Sequence, residues 1–234
     1  MSLQGLKKEI KKLSSPERAK NSAWFFKTGK GEYGEGDVFV GLTVPLCRKL
    51  AQKYSDLELI EIEKLLKSKI HEERLIALLI LVHNYQSGTD VEKLKIYRFY
   101  IKFAKFVNNW DLVDLSAHKI VGAYLSGKSK TILYKLARSK NLWEKRIAII
   151  STAWFINNHQ FSDTLKISKI LLKDRHDLIH KAVGWMLREV GKKEQKIEEK
   201  FLLKHYKDMP RTMLRYAIER FPESQRLKYL RGSF

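Results

Sequence analysis

The sequence predicts an all-α protein built as an α-solenoid, a superhelix of HEAT-like or armadillo-type helical repeats. Only four prolines and twelve glycines interrupt its 234 residues, and apolar residues recur at helical spacing along most of the chain. Similar helix openings also return at intervals of roughly 32–39 residues, which is the range of paired-helix repeats. We expect one repeat domain over residues 1–234, with a non-repetitive helical bundle as the alternative.

The first helices are predicted by apolar periodicity and by capping residues. Residues 3–13 are typical of a basic amphipathic helix, with Leu6, Ile10 and Leu13 on one stripe. Ser15 followed by Pro16 predicts the cap and first residue of a second helix, which carries Trp24, Phe25 and Phe26. A third helix is predicted to begin at residues 44–46.

A glycine-rich loop covers residues 29–37, and Gly29, Gly31 and Gly34 give it a GxGxxG-like spacing. No strand precedes this loop and no helix follows at once, so the context that a dinucleotide-binding site requires is missing. Turn formation explains these glycines better, and we assign the loop no catalytic part.

From residue 71 onward the chain is repetitive. Helices are predicted to begin close to His71, Trp110, Trp143, Leu178 and Pro210. Short polar breaks such as residues 87–89, 126–128 and 157–159 separate the helices. Stacked repeats of this kind bury a continuous core and present an extended concave surface, which we expect to be basic.

Charge identifies the class of partner. Lys and Arg total 46 against 26 Asp and Glu, a formal net charge of +20. A polyanion such as nucleic acid is the natural counterpart, and an anionic membrane surface is the competing partner. No stretch is long and apolar enough to span a bilayer, and residues 1–8 lack the apolar core of a signal peptide. Cys47 is the only cysteine, which excludes an internal disulfide, so we expect a cytoplasmic protein.

The residues that carry chemistry lie in and after the stretch 108–114. On a helix, Trp110 and Asp114 are i,i+4 neighbours on one face, an arrangement suited to stabilising positive charge. The alternative is a core tryptophan, with Asp111 near the helix start offsetting the dipole. The later helix starts place basic and aromatic residues along one surface: Trp110, Trp143, Arg146, Lys181, Trp185, Arg188, Arg211 and Arg215. Basic residues interleaved with aromatics suit phosphate binding and packing on sugars. Trp24, Trp143 and Trp154 are assigned to core packing.

Three strings carry a family resemblance: residues 109–114 (NWDLVD), 142–148 (LWEKRIA) and 181–189 (KAVGWMLRE). In order and spacing they resemble the AlkD-type DNA alkylation repair proteins, HEAT-like-repeat DNA glycosylases, over nearly the whole chain. The resemblance implies hydrolysis of the N-glycosidic bond of N3-alkyladenine and N7-alkylguanine in double-stranded DNA, without a base-flipping pocket. It implies catalytic roles for Trp110, Asp114 and Trp185, and DNA-backbone contacts for Arg146 and Arg188. Relatives often place a tyrosine in the early helix, whereas here the stretch reads Ala23-Trp24-Phe25-Phe26, so no role is carried over to Phe25.

Physical chemistry supports those roles. A cationic purine leaves readily, and a carboxylate aimed at the developing oxocarbenium ion stabilises the transition state more than the ground state. Lys181, Arg211 and Arg215 complete the predicted DNA-binding set. We expect a monomer that needs neither metal nor cofactor and does not bind membranes. A non-catalytic DNA-binding HEAT protein and a protein-binding solenoid are the alternatives.

Other patterns have simpler explanations. His176 and His180 have i,i+4 spacing, but no third metal ligand accompanies them, and a solvated helix start explains them better. Arg48 beside Cys47 invites a reactive thiol, yet a small apolar core residue is the better interpretation of this cysteine.

Overall fold

The computed structural model describes residues 1–233, and the described chain is helical with no strand. Extended backbone pairs only at an isolated parallel bridge between Val38 and Ile70 within those residues. This confirms the predicted all-α class. No helix in the described part of the chain is long and apolar enough to cross a membrane. The solenoid arrangement and its basic concave face stay predictions.

The chain divides into two compact units, Met1–Ser116 and Ala117–Phe234. The first contains α1 (Leu3–Leu13), α2 (Pro16–Phe25), α3 (Val44–Lys53), α4 (Leu59–Leu66), α5 (His71–Ser87), α6 (Asp90–Lys102) and nearly all of α7 (Trp110–Ala117). The second contains α8 (Thr131–Ala137), α9 (Leu142–Ser151), α10 (Ala153–Asn157), α11 (Ser162–Leu171), α12 (Asp177–Lys193), α13 (Gln195–His205), α14 (Arg211–Ala217) and α15 (Glu223–Arg231). The prediction of one domain over residues 1–234 stays a prediction.

Helix starts follow the capping chemistry of the sequence. The Ser15 hydroxyl accepts the N–H of Arg18 and Pro16 is the first helical residue, as predicted for α2. α1 buries Leu6 and Ile10 on the predicted stripe. The five repeat openings are confirmed as helix starts to within one residue, in α5, α7, α9, α12 and α14. Local rules therefore place most of the helices.

One central helix organises each unit. In the first, α5 packs against α3, α4 and α6, and its run from Leu75 to Val82 is buried. In the second, α12 packs against α9, α10, α11, α13 and α14. Both central helices are 17 residues long. The residues predicted to carry chemistry lie on α7 of the first unit and on α9, α12 and α14 of the second.

Of the three tryptophans assigned to the core, Trp143 is buried, Trp154 is half-buried and Trp24 is exposed. Trp24 is 83% exposed, whereas Trp143 is 7% exposed as predicted. Trp24 lies in the last turn of α2, a helix in which no residue is buried. The prediction for Trp24 was wrong because a short helix followed by a loop offers no second element to cover its ring.

Candidate functional site

α7 begins at Trp110 because side chains on both sides of its start bind orphan N–H groups. The Asn109 side-chain oxygen accepts the Trp110 N–H at 2.8 Å, and Asp111 accepts the N–H of Leu112 at 2.8 Å. Leu112 and Val113 are fully buried. The opposite side of the helix therefore carries Trp110 and Asp114.

Trp110 and Asp114 lie one turn apart and both remain partly exposed. This arrangement agrees with the predicted i,i+4 pair. The negative charge of Asp114 also acts on the buried hydroxyl of Tyr100, whose pKa is raised first by burial and then by this carboxylate. The Tyr100 hydroxyl stays neutral and bonds the Ser116 hydroxyl at 2.9 Å. α7 thus presents an indole and a carboxylate together at a partly accessible surface.

Aromatic rings brace the Trp110 indole. The Phe26 ring stacks on it with centroids 5.1 Å apart and planes 16° apart. The Phe25 ring meets it edge-on at 6.0 Å, and Phe25 is itself 57% exposed. Phe26 stacks in turn on Phe39 at 5.0 Å. Such packing restricts the indole to one orientation.

A buried polar network lies behind these rings. His71 Nε2 is 2.8 Å from Asp111 Oδ2, and His71 Nδ1 is 3.3 Å from Asp37 Oδ2. Arg74 donates to Asp37 Oδ1 at 2.7 Å. The His71 imidazole also stacks on the Phe39 ring at 4.6 Å. The network therefore joins the end of the glycine-rich loop, the start of α5 and the start of α7.

Proton affinities in this network follow from its charges. Burial alone would lower the pKa of His71, but the hydrogen bonds and charges of Asp111 and Asp37 outweigh it and raise that pKa. Burial would raise the pKa of Asp37, but bonds from His71 and Asn109 and the Arg74 charge lower it. Both shifts favour the charged forms of the two groups.

Sequence reasoning missed this network. From the sequence, the polar run His71-Glu72-Glu73-Arg74 was interpreted only as the start of a helix, yet all four residues are 3% exposed or less. Glu72 accepts the N–H groups of Val40, Gly41 and Leu42, at 2.7 Å for Gly41. The signal was four polar residues opening an otherwise apolar helix, which requires buried partners from elsewhere in the chain.

In the second unit, α12 carries three of the predicted site residues. Trp185 is half-buried, and its indole N–H donates to Glu189 Oε1 at 3.0 Å. Lys181 pairs with Asp177 at 2.7 Å. Arg188 pairs with Glu219 of the segment after α14. These side chains lie along one helix, and each has an acidic partner.

The remaining predicted arginines differ in exposure. Arg211 and Arg215 of α14 are exposed, although Arg211 also donates to the Leu230 carbonyl at 2.6 Å. Arg146 is only 5% exposed and donates to the Leu178 carbonyl at 2.6 Å, close to the start of α12. Arg146 therefore supports the helix that carries Trp185, and its contact with DNA stays a prediction.

The two features given simpler explanations have ordinary partners. His176 Nδ1 accepts the Leu178 N–H at 3.1 Å, and His180 Nε2 bonds the Asp174 carbonyl at 2.6 Å. No cluster of metal-ligating side chains occurs among residues 1–233. Cys47 is fully buried, as predicted. Burial first, and then Glu72 and Asp111, raise the pKa of its thiol to about 12.

Comparisons with known proteins agree with this fold. The model of the DNA alkylation repair enzyme family matches residues 6–221. The solved structure of a predicted DNA alkylation repair enzyme from Enterococcus faecalis superposes on this chain with a TM-score of 0.69 at 18% sequence identity. The superposition covers 90% of this chain and 97% of that one. Comparison with curated proteins gives no significant match.

The structural likeness shows a shared helical fold, and the family match goes further because it spans both units. The chain belongs to the DNA alkylation repair enzyme family. This supports a role in DNA alkylation repair and DNA as the partner, in agreement with the net charge of +20.

Proposed function

We propose that the protein is a monofunctional DNA glycosylase that hydrolyses the N-glycosidic bond of positively charged alkylated purines, N3-alkyladenine and N7-alkylguanine, in duplex DNA. One observation carries the proposal: α7 presents a braced indole and a carboxylate one turn apart, both partly exposed. In a protein of charge +20, an accessible aromatic–carboxylate pair suits a cationic substrate on a polyanion.

Asp114 stabilises the transition state in this proposal. An alkylated purine already carries positive charge and leaves as a neutral base, so no strong general acid is required. Positive charge develops on the deoxyribose as the bond breaks, and a nearby carboxylate stabilises that charge more in the transition state than in the ground state. The same carboxylate positions the attacking water.

Trp110 contributes through the face of its indole. A cation over an indole gains about 0.5–2 kcal/mol, and the Phe26 stack on one side of the ring leaves the other parts of the indole for the substrate. We assign the second aromatic contact to Trp185, whose N–H is held by Glu189. Both tryptophans pack on the sugar of the lesion nucleotide.

DNA affinity comes from phosphate contacts in this proposal. The assigned residues are Lys181, Arg188, Arg211, Arg215 and Arg146, on a basic concave face of a HEAT-like solenoid. Arg211 and Arg215 are the exposed members, so their removal should weaken binding to any duplex and reduce its salt dependence. The protein acts as a monomer without metal or cofactor.

The test measures release of N7-methylguanine and N3-methyladenine from methylated duplex DNA by the wild type and by Asp114→Asn. We expect wild-type release and a loss of roughly a hundredfold or more in the variant, with DNA affinity kept. Asp90→Asn, an exposed acid in the first turn of α6, is the matched control and should excise like the wild type.

Either of two results would contradict the proposal. Unchanged excision by Asp114→Asn would remove this carboxylate from the mechanism. Absence of release by the wild type, with salt-sensitive DNA binding retained, would make the protein a non-catalytic DNA-binding member of the family.

A further inference from the structure

The glycine-rich loop, which has no part in the proposed chemistry, ends on a residue that touches the site. Asp37 is its last member, and the Asp37 side chain is only 5% exposed. Its Oδ1 accepts from Arg74 at 2.7 Å. Its Oδ2 accepts from Asn109 Nδ2 at 3.1 Å and lies 3.3 Å from His71 Nδ1. One buried carboxylate therefore meets three partners from two other segments.

Two hydrogen-bonded routes lead from Asp37 to the start of α7. In the first, Asn109 donates to Asp37 through its amide nitrogen and accepts the Trp110 N–H through its amide oxygen. In the second, His71 lies between Asp37 and Asp111. The first route ends on the backbone of Trp110 itself, and the second on the residue that follows it.

The contacts of His71 favour its doubly protonated form: Asp37 Oδ2 lies 3.3 Å from Nδ1 and Asp111 Oδ2 lies 2.8 Å from Nε2, while Arg74 Nη2 lies 3.5 Å from Nδ1. Both ring nitrogens face carboxylate oxygens, and a neutral imidazole would turn a lone pair toward one of them. The doubly protonated ring donates to both. Its charge and that of Arg74 are then balanced by Asp37 and Asp111, the groups that face it from the loop and from α7. Without the Asp37 carboxylate, Arg74 would lose its ion pair with that group and His71 would lose one of its two acidic partners.

We infer that Asp37 is a positioning residue for Trp110: it holds the indole and the start of α7 in their orientation through Asn109 and His71. The expected loss of catalytic rate on replacing Asp37 rests on the proposed function. The expected change in the orientation of Trp110 is independent of catalysis. The glycine-rich loop is also assigned a role, because its last residue places a carboxylate next to the start of α7.

The first test is kinetic. Asp37→Asn replaces one carboxylate oxygen by an N–H₂ donor and removes the negative charge. The single amide oxygen can face either Asn109 and His71 or Arg74, so one side of the network loses its acceptor in either orientation. Because displacement of a positioned group by about 1 Å costs up to a hundredfold, we expect kcat for methylpurine release to fall roughly ten- to a hundredfold. KM should stay within about twofold, since DNA contacts are untouched.

The second test is spectroscopic and needs no activity. Five tryptophans give five indole N–H signals, and Trp110→Phe identifies that of Trp110. In Asp37→Asn the Trp110 signal should shift or broaden, while that of Trp143, buried in the other unit, stays in place. If Asp37 only stabilised the fold, its replacement would not change the Trp110 signal in preference to those of the other tryptophans.

Rescue and control variants complete the design. In the double variant Asp37→Asn with Asn109→Asp, the amide at position 37 can donate to a carboxylate at position 109, so the same hydrogen bond forms in the opposite direction. This double variant should recover part of kcat and of the Trp110 signal. Glu9→Gln removes the charge of a carboxylate bonded to Lys53 and Tyr54 in the same unit and should change neither readout. If Asp37→Asn fails to fold, Asn109→Ala removes the link from its other end and carries both readouts.

The inference is overturned if the folded Asp37→Asn variant keeps both kcat and the Trp110 signal, or if Asn109→Asp restores neither. A wild type that releases no base would end the proposed function but not this inference, because the indole signal still reports the orientation of Trp110.

Discussion

Replacing Gly184 by alanine tests how the helix that carries Trp185 is held. Gly184 lies inside α12 where α14 crosses it. A Cβ added there would lie 2.5 Å from Tyr216 Cβ, and closer still to the backbone carbonyl oxygen of Met213. Because the opposing atoms belong to a helix backbone and a Cβ, no flexible side chain can move aside. The two helices must separate instead.

The magnitude follows from two opposing effects. Alanine is favoured over glycine in a helix interior by about 1 kcal/mol, whereas added volume in a packed contact costs about 1–3 kcal/mol, and occasionally more. A contact with helix backbone belongs at the upper end of that cost, so we expect a net loss near 2 kcal/mol. For a chain of this size that corresponds to a fall in Tm of roughly 4–8 °C.

Urea and thermal unfolding measure this loss, with Gly5→Ala as the matched control. Gly5 lies in the first turn of α1, and a Cβ there would meet side-chain atoms alone among its three nearest neighbours: Ser2 Oγ at 3.3 Å, Tyr54 Oη at 3.5 Å and Tyr54 Cε1 at 3.7 Å. That variant should be as stable as the wild type or up to about 1 kcal/mol more stable. If Gly184→Ala is no less stable than Gly5→Ala, the close approach of α12 and α14 does not limit this position.

Two further predictions concern stability. Burial, followed by the charge of Glu199, raises the pKa of Glu198 to about 9, so the folded protein holds a proton that the unfolded chain releases near pH 4.5. The free energy of unfolding should therefore fall by about 1.4 kcal/mol per pH unit as pH rises from 4.5 to about 9. Urea unfolding of Glu198→Met should lack this pH dependence. An unchanged dependence in that variant would refute the raised pKa of Glu198. Trp143→Ala should lower the free energy of unfolding by about 3–5 kcal/mol in the same assay. Trp24→Ala, at an exposed site, should change it by no more than about 0.5 kcal/mol. Equal losses in the two variants would contradict the 7% exposure of Trp143 and the 83% exposure of Trp24.

The sequence was sufficient for the parts of the fold that depend on neighbours along the chain. Ser15 and Pro16 cap α2 through contacts within three residues, and apolar periodicity predicted the starts of α5 and α7. Trp110 and Asp114 could be paired because i,i+4 spacing follows from helix geometry alone. Each of these inferences needs only local rules.

The polar network behind Trp110 depends on contacts between distant residues. Asp37 meets Asn109 across 72 positions and His71 across 34, and no periodicity encodes such pairs. The error at Trp24 has a related cause, since burial of a ring depends on whether another element covers it. A single sequence shows that buried charges need partners, but it does not say which ones.

The two carboxylates of α7 illustrate how environment separates similar groups. Asp111 lies in the first turn of α7, where the alternative interpretation has it offset the helix dipole, and it is also 7% exposed and paired with His71. Asp114, one turn after Trp110, keeps a partly exposed position. Because its charge is already balanced by a buried cation, Asp111 is poorly suited to stabilise positive charge on a substrate. The network gives Asp111 a buried partner, so we expect that Asp111 does not offset the loss of activity predicted for Asp114→Asn.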